Sequence, residues 1–240
     1  IVKISEKPFN VYKYHTGVEV PIVLNRQGNS DWSKLTSMLC QDQQRNDQIV
    51  RLVSRNSTSK ILILTWRHEN HVIPLVQMLK DNGENVDYMA GTKKKYSDSR
   101  ILIGTISKIG TGFDEKAACD DFNGIRINLL ILVGSIKNVE LLEQVAGRCF
   151  RADFPSIIHF VDDMKIIQNH WKEAKKWYES RNGTINEFES EEYKRKHRPQ
   201  VTTQSAPGLT KEGLGTWIRV SKEDIKSLGP VKVVFCMGWH

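Results

Sequence analysis

"KILILTW", residues 60–66, decides the architecture. Ile61, Leu62, Ile63 and Leu64 are apolar at odd and even positions alike. A strand with one wet face would alternate, so this run reads as a strand covered on both faces. Strands of that kind belong to parallel sheets flanked by helices.

The flanking sequence repeats the unit. After Trp66, Val72, Leu75, Val76 and Leu79 recur at helical spacing, and the pattern stops at Asn82-Gly83. "RILIGT" (100–105), "NLLILVG" (128–134) and "SIIHFVD" (156–162) are three more continuous apolar runs, and "NVDYMAG" (85–91) is a weaker strand. "NVELLEQVAGRCF", opened by Asn138, is a helix between the last two strong runs. Upstream, Leu35, Met38 and Leu39, then Ile49, Val50 and Val53, mark two helices with Asp42 as N-cap between them. Residues 163–181 form a closing helix with Ile166, Ile167, Trp171 and Ala174 on one face. Alternating strands and helices predict an α/β fold, a parallel sheet with helices on both faces.

The ends are less patterned. Residues 1–30 read as a lead-in, with "VYKYHTGVEVPIV" a hairpin turning at His15-Thr16-Gly17. "ESEEYKRKHRP" and "QVTTQSAPG" have linker composition. Beyond them, Ser221 caps a short helix, and "VKVVFCMGW" reads as a strand. The division expected is a lead-in (1–30), a main domain (31–182), and a linker with a small C-terminal extension (183–240).

Composition narrows the function. At 240 residues, 39% hydrophobic and 26% charged, the chain buries one core and a small module at most. A net charge of +7 suits an anionic partner, most simply nucleic acid, although a basic surface also serves solubility alone. No apolar run is long enough for a membrane span, and no secretory leader is visible. Cys40, Cys119, Cys149 and Cys236 are scattered, without the paired spacing of structural zinc. His68 and His71 lack a carboxylate partner in metal-binding order and read as helix-surface residues. These features fit a soluble intracellular protein with neither a metal nor a membrane partner. The chain opens on Ile1 rather than Met, as a fragment or processed product would.

Three segments carry chemistry. Thr65-Trp66-Arg67 follows the first strong strand. "GTISKIGTGFDE" (104–115) joins the hydroxyls of Thr105, Ser107 and Thr111 to Gly110, Gly112 and the carboxylate of Asp114. Hydroxyls and glycine-exposed amides suit phosphate oxygens, and a carboxylate suits ribose hydroxyls. "EQVAGRCFRAD" (143–153) sets Arg148 and Arg151 on one helix face, with Gly147 just before them and Gln144 one turn before Arg148. Guanidinium groups grip phosphate in two-pronged fashion. Taken singly, the middle segment is a common glycine-rich turn, and the arginines suit a solvated helix end. Chemistry in such sheets gathers beyond the strand carboxyl ends, so all three are expected along one edge.

In this order the segments resemble the second RecA-like lobe of superfamily 2 helicases and translocases. "LILTW" is similar to their motif IV, "GTISKIGTGFD" to motif V and "QVAGRCFR" to motif VI, over about residues 31–180. The resemblance implies an arginine finger at Arg151, assisted by Arg148 and Gln144, and a nucleotide ribose near Gly112 and Asp114. It implies nucleic-acid backbone contacts at Thr65, Trp66, Arg67, Thr105, Ser107 and Thr111. Gly91 and Thr92 stand where a further contact motif is usual, followed by Lys93, Lys94 and Lys95. Only eight residues separate Gly91 from Arg100, so a helix common there in relatives is shortened or absent.

The chain contains neither GxxxxGK[ST] nor a DExx box. ATP with Mg2+ is therefore expected mainly on the first RecA-like lobe of the same protein, and this chain alone is expected to be inactive. Gln rather than His opens the "QVAGRCFR" segment, and "TGFD" resembles phage and large-DNA-virus helicases. That favours DNA over RNA and a viral protein of host cytoplasm or nucleus. The alternatives are a non-catalytic nucleic-acid-binding or protein-docking module, an RNA helicase lobe, or an unrelated doubly wound nucleotide-binding fold.

Overall fold

The computed structural model describes residues 8–110 and 112–198. Thr111 lies outside them, as do Ser221, Trp217, Cys236, Trp239 and the "VKVVFCMGW" segment.

Seven parallel strands build one sheet among the described residues, in the order β3-β4-β2-β5-β6-β1-β7. They are β1 (Phe9–His15), β2 (Ile61–Thr65), β3 (Val86–Met89), β4 (Ile101–Thr105), β5 (Leu129–Leu132), β6 (Ser156–Val161) and β7 (Gly183–Glu189). The helices are α1 (Trp32–Gln41), α2 (Gln43–Arg55), α3 (Ile73–Asp81), α4 (Ile106–Gly110), α5 (Glu115–Ala118), α6 (Val139–Cys149), α7 (Lys165–Ser180) and α8 (Glu191–His197). A π-helical turn, His68–Val72, leads into α3.

The apolar runs behave as their composition requires. Leu62, Leu64, Leu102, Leu130 and Leu132 belong to one core layer, with α1, α4, α6 and α7. Ile61, Ile63, Ile101, Ile103, Leu129 and Ile131 belong to the other, with α2 and α3. Side chains of a strand alternate between faces, so a strand apolar at every position feeds two cores. Full burial of each such side chain contributes about 1.5–3 kcal/mol. The expected caps are present: Asp42 accepts from Arg45 N at 2.7 Å, and Asn138 from Leu141 N at 2.9 Å.

Both ends differ from the sequence expectation. No hairpin forms at residues 11–23; β1 instead runs parallel between β6 and β7. Gly17 has φ +70°, yet its role is close approach, since a Cβ there would stand 2.5 Å from Tyr193 N at the start of α8. Residues 183–197 are β7 and α8 rather than linker. β7 escapes sequence reading because it is an edge strand, with exposed Thr184, Glu187 and Glu189 and no regular apolar period. The sheet thus draws on residues outside 31–182 on both sides.

Candidate functional site

The three segments do not share one edge. Trp66, Gly91 and Ser107 follow the carboxyl ends of β2, β3 and β4. The helix α6 runs back from β5 to the start of β6 and carries its arginines to the opposite end. Phe150, its C-cap, lies 4.5 Å (ring centroids) from Phe9, the first residue of β1. Glu115 of α5 accepts from Arg126 Nη1 and from Ile127 N, just before β5. Gly110 lets α4 close on α6, because a Cβ there would stand 2.9 Å from Leu141 Cδ1. Two separate surfaces result.

At the carboxyl edge, several expected contacts face inward. Thr65 is buried, and its Oγ1 lies 2.5 Å from His71 Nδ1. The other ring nitrogen, Nε2, lies 2.9 Å from Asn46 Oδ1, while Asn46 Nδ2 donates to the carbonyl of Cys40. Since Asn46 Oδ1 can only accept, Nε2 carries the proton and Nδ1 accepts from Thr65. Thr105 is buried too, and its Oγ1 accepts from Lys108 N at 3.4 Å, at the start of α4. Both hydroxyls are thus buried, with the Thr65 proton given to His71 and the Thr105 oxygen turned to the start of α4. Arg67 turns onto α1, where Nη2 donates to Ser33 O (2.9 Å) and Ser33 Oγ (2.8 Å). Trp66 donates Nε1–H to Ser135 O at 2.9 Å, and its ring fills the space left by Gly134. Gly91, Thr92 and Ser107 remain exposed, and Lys108 Nζ donates to Gly91 O at 3.2 Å. Lys93 is held by Asp87, while Lys94 is exposed.

At the other end, Arg151 Nη1 donates to Asp114 Oδ2 at 2.6 Å. The second oxygen of Asp114 accepts from Lys116 N and Ala117 N, capping α5. The Arg151 guanidinium, followed by the backbone donors, holds the Asp114 carboxyl below its ordinary pKa. Arg148 is half-buried, and its Nε has no partner. Burial first, then the charge of Arg151, weighs against the Arg148 cation and lowers its pKa. Two guanidinium groups with one carboxylate leave a net positive face, which an incoming anion would relieve. Gln144 is exposed on the preceding turn. Among the described residues nothing lies within 4 Å of a Cβ built on Gly147, so packing between them does not call for glycine there. Gly112, at φ +98°, turns the chain into Phe113 and Asp114.

One polar assembly escaped sequence reading. Arg45, fully enclosed on α2, donates Nε–H to Asp162 Oδ1 (2.9 Å) and Nη2–H to Asp162 Oδ2 (3.1 Å) and Val133 O. Thr16 donates to the same carboxylate at 2.7 Å. The group ties the ends of β1, β5 and β6 to α2. Asp162 directly after an apolar run was the available signal, but Arg45 is 117 positions away and its helix reads as amphipathic.

No protein-family model matches the chain. It is 27% identical over 210 residues to "Putative helicase 161L" of Invertebrate iridescent virus 6, covering 78% of this chain and 45% of that protein. It is 36% identical over 106 residues to "Uncharacterized protein 108L" of Invertebrate iridescent virus 3, covering 43% of this chain and 91% of that protein. The chain thus spans under half the length of the helicase-named relative. Among solved structures it resembles T4 UvsW, with a TM-score of 0.53, 13% identity, and coverage of 78% of this chain and 42% of that one. It also resembles S. cerevisiae Dbp5 bound to RNA and ADP BeF3, with a TM-score of 0.50, 13% identity, and coverage of 80% and 44%. These two likenesses establish the fold.

Proposed function

The chain belongs to a family of iridovirus proteins that includes the helicase-named 161L and uncharacterized protein 108L, and it has the RecA-like fold of superfamily 2 helicase C-terminal lobes; on that premise we propose that it is the motor lobe of an ATP-dependent DNA helicase or translocase. The observation that carries this reading is the Arg151–Asp114 pair with the charge of Arg148 close to it, beside a helix surface left bare at Gly147 among the described residues.

In this reading a first lobe grips ATP with Mg2+ and supplies the phosphate loop that this sequence lacks. Bound there, the nucleotide supplies a phosphoanhydride whose cleavage releases the free energy for movement. On closure Arg151 reaches the γ-phosphate as arginine finger, and Arg148 and Gln144 add donors beside it. Gly112 and Asp114 lie towards the ribose. At the carboxyl edge Gly91, Thr92 and Ser107 meet the nucleic-acid backbone, which Trp66 and Arg67 support from behind; the family resemblance adds Thr111 to these contacts. Separating the two surfaces lets closure at one end change the grip at the other. A cycle of closing and opening then becomes a step along the strand.

The test uses this lobe joined to its first lobe. Arg151→Lys keeps a charge but loses the planar fork, and hydrolysis should fall by about 10³–10⁵. Nucleic-acid binding should barely change, and this chain alone should not hydrolyse ATP. Near-normal hydrolysis by Arg151→Lys at saturating ATP and nucleic acid would overturn the reading. Stimulation by single-stranded DNA but not by RNA supports the DNA assignment, and the reverse makes this an RNA helicase lobe.

A further inference from the structure

We infer that Asp114 is a positioning residue for Arg151: it ties the guanidinium to α5 and yields it only to a phosphate group. This rests on the reading of Arg151 as a phosphate-binding residue, and it assigns the carboxylate a task before any ribose is in reach.

The two oxygens of Asp114 have separate duties. Oδ1 accepts from Lys116 N (2.9 Å) and Ala117 N (3.2 Å), so the start of α5 fixes the carboxylate. Oδ2 is thereby aimed at Arg151 Nη1, 2.6 Å away. The Arg151 side chain follows the last turn of a helix, and a long side chain placed there would otherwise sample many rotamers. The tie selects one.

The tie is also breakable. The side chains are 37% and 40% exposed, so both water and a ligand reach them. Pairs at that exposure shift an equilibrium by only about 1.4- to 5-fold. A phosphate offers two oxygens to one guanidinium and carries more charge than a carboxylate, so it competes well. Arg148 tips the exchange further. Its Nε is buried without a partner, and the charge of Arg151 beside it weighs against its own, so an anion that approaches the pair relieves both. Phosphate engaged by Arg148 stands beside Arg151 and draws it from Asp114. The carboxylate meanwhile keeps its cap through Oδ1, so α5 need not unwind.

Inorganic triphosphate is the probe, because it has no ribose and isolates phosphate binding from any ribose contact of Asp114. Its affinity is measured calorimetrically for the chain itself, for D114N, for R151Q and for the double variant, each checked by melting temperature. Asn caps helices as well as Asp does, so D114N removes charge and tie while keeping the α5 cap. Asp114→Ser, another good cap, is the second variant if D114N melts early. Wild type should bind triphosphate weakly, and D114N about 1.4- to 5-fold more tightly. That gain should vanish between R151Q and the double variant. A second readout is the Asp114 carboxyl resonance, whose titration should move up in R151Q. An equal gain with and without Arg151 would reduce the effect to bulk electrostatics and overturn the tie, as would no gain in D114N while R151Q weakens binding. If R151Q binds triphosphate as wild type does, the phosphate-binding reading of Arg151 fails instead.

Discussion

Thr65, the last residue of β2, gives its hydroxyl proton to His71 Nδ1 in the π-helical turn that follows. A residue whose sequence position marks it as a nucleic-acid contact is therefore a fastener of the core. Thr65→Val should leave His71 Nδ1 without a donor and cost about 1–3 kcal/mol of stability. Affinity for DNA should not change. Ser107→Ala, if Ser107 meets the nucleic-acid backbone as proposed, should weaken DNA binding about 2- to 10-fold and lower the urea midpoint less than Thr65→Val does. Fluorescence anisotropy and urea unfolding on the same samples check both halves. A Thr65→Val variant with native stability and lost DNA binding would reverse the assignment.

Burial, with the charge of Arg45 second, lowers the pKa of His71 to about 3. Burial likewise lowers that of His159, whose Nδ1 lies 3.0 Å from Tyr178 Oη, to about 3. The unfolded chain takes up these protons near pH ~6.5, whereas the folded chain stays neutral until about pH 3. More protons bound in the unfolded state means that stability falls as pH drops from about 6.5 towards 3. Each histidine contributes up to about 1.4 kcal/mol per pH unit within that window. Urea midpoints measured at pH 7, 6 and 5 should decline, and the slope should be shallower in His71→Gln/His159→Gln. An unchanged slope in that variant would show that other groups set the acid limit.

Arg45 and Asp162 form a two-pronged pair with side chains only 2% exposed. Asp162→Asn leaves an enclosed cation without its counterion and should destabilise the lobe by about 3–5 kcal/mol. Replacing both, as Arg45→Met with Asp162→Leu, should recover much of that loss, because the cost lies in the unpaired charge. Thermal melts of the two single variants and the double decide the matter. A single variant within ~0.5 kcal/mol of wild type would mean that water or backbone compensates the charge.

Gly147 interrupts α6 with no packing reason inside the described residues. Gly147→Ala should stabilise the lobe by about 0.5–1 kcal/mol, since alanine is the better helix former. If the chain closes on a first lobe as proposed, the same change should slow ATP hydrolysis, because the methyl would stand on the helix surface beside Arg148. Opposite signs in melting temperature and turnover are the expected signature. Stabilisation with undiminished hydrolysis would mean that nothing approaches this turn.

Local composition was enough to settle the central architecture. Continuous apolar runs such as 61–64 and 129–132 can be buried only between two helical layers, and the Asp42 and Asn138 caps follow from side chains acting on their own helix. The pairing of arginines at 148 and 151 was only partly local, because α6 ends at Cys149 and Arg151 lies beyond its C-cap, outside the helical period that sequence reading used. Distant partners were not encoded locally. β7 is polar and gains strand form only from the edge of β1, and α8 is placed by the missing side chain of Gly17. Whether a strand-end hydroxyl faces solvent or core depended on His71 and Asn46 for Thr65, residues that reach it only after the chain folds. The return of α6 to the amino ends of the strands parted the arginines from the carboxyl-edge residues and set Asp114 against Arg151. Sequence thus determined which elements form, because burial and capping act over a turn or two. Tertiary structure decided which functional groups meet, because those contacts join residues from separate elements.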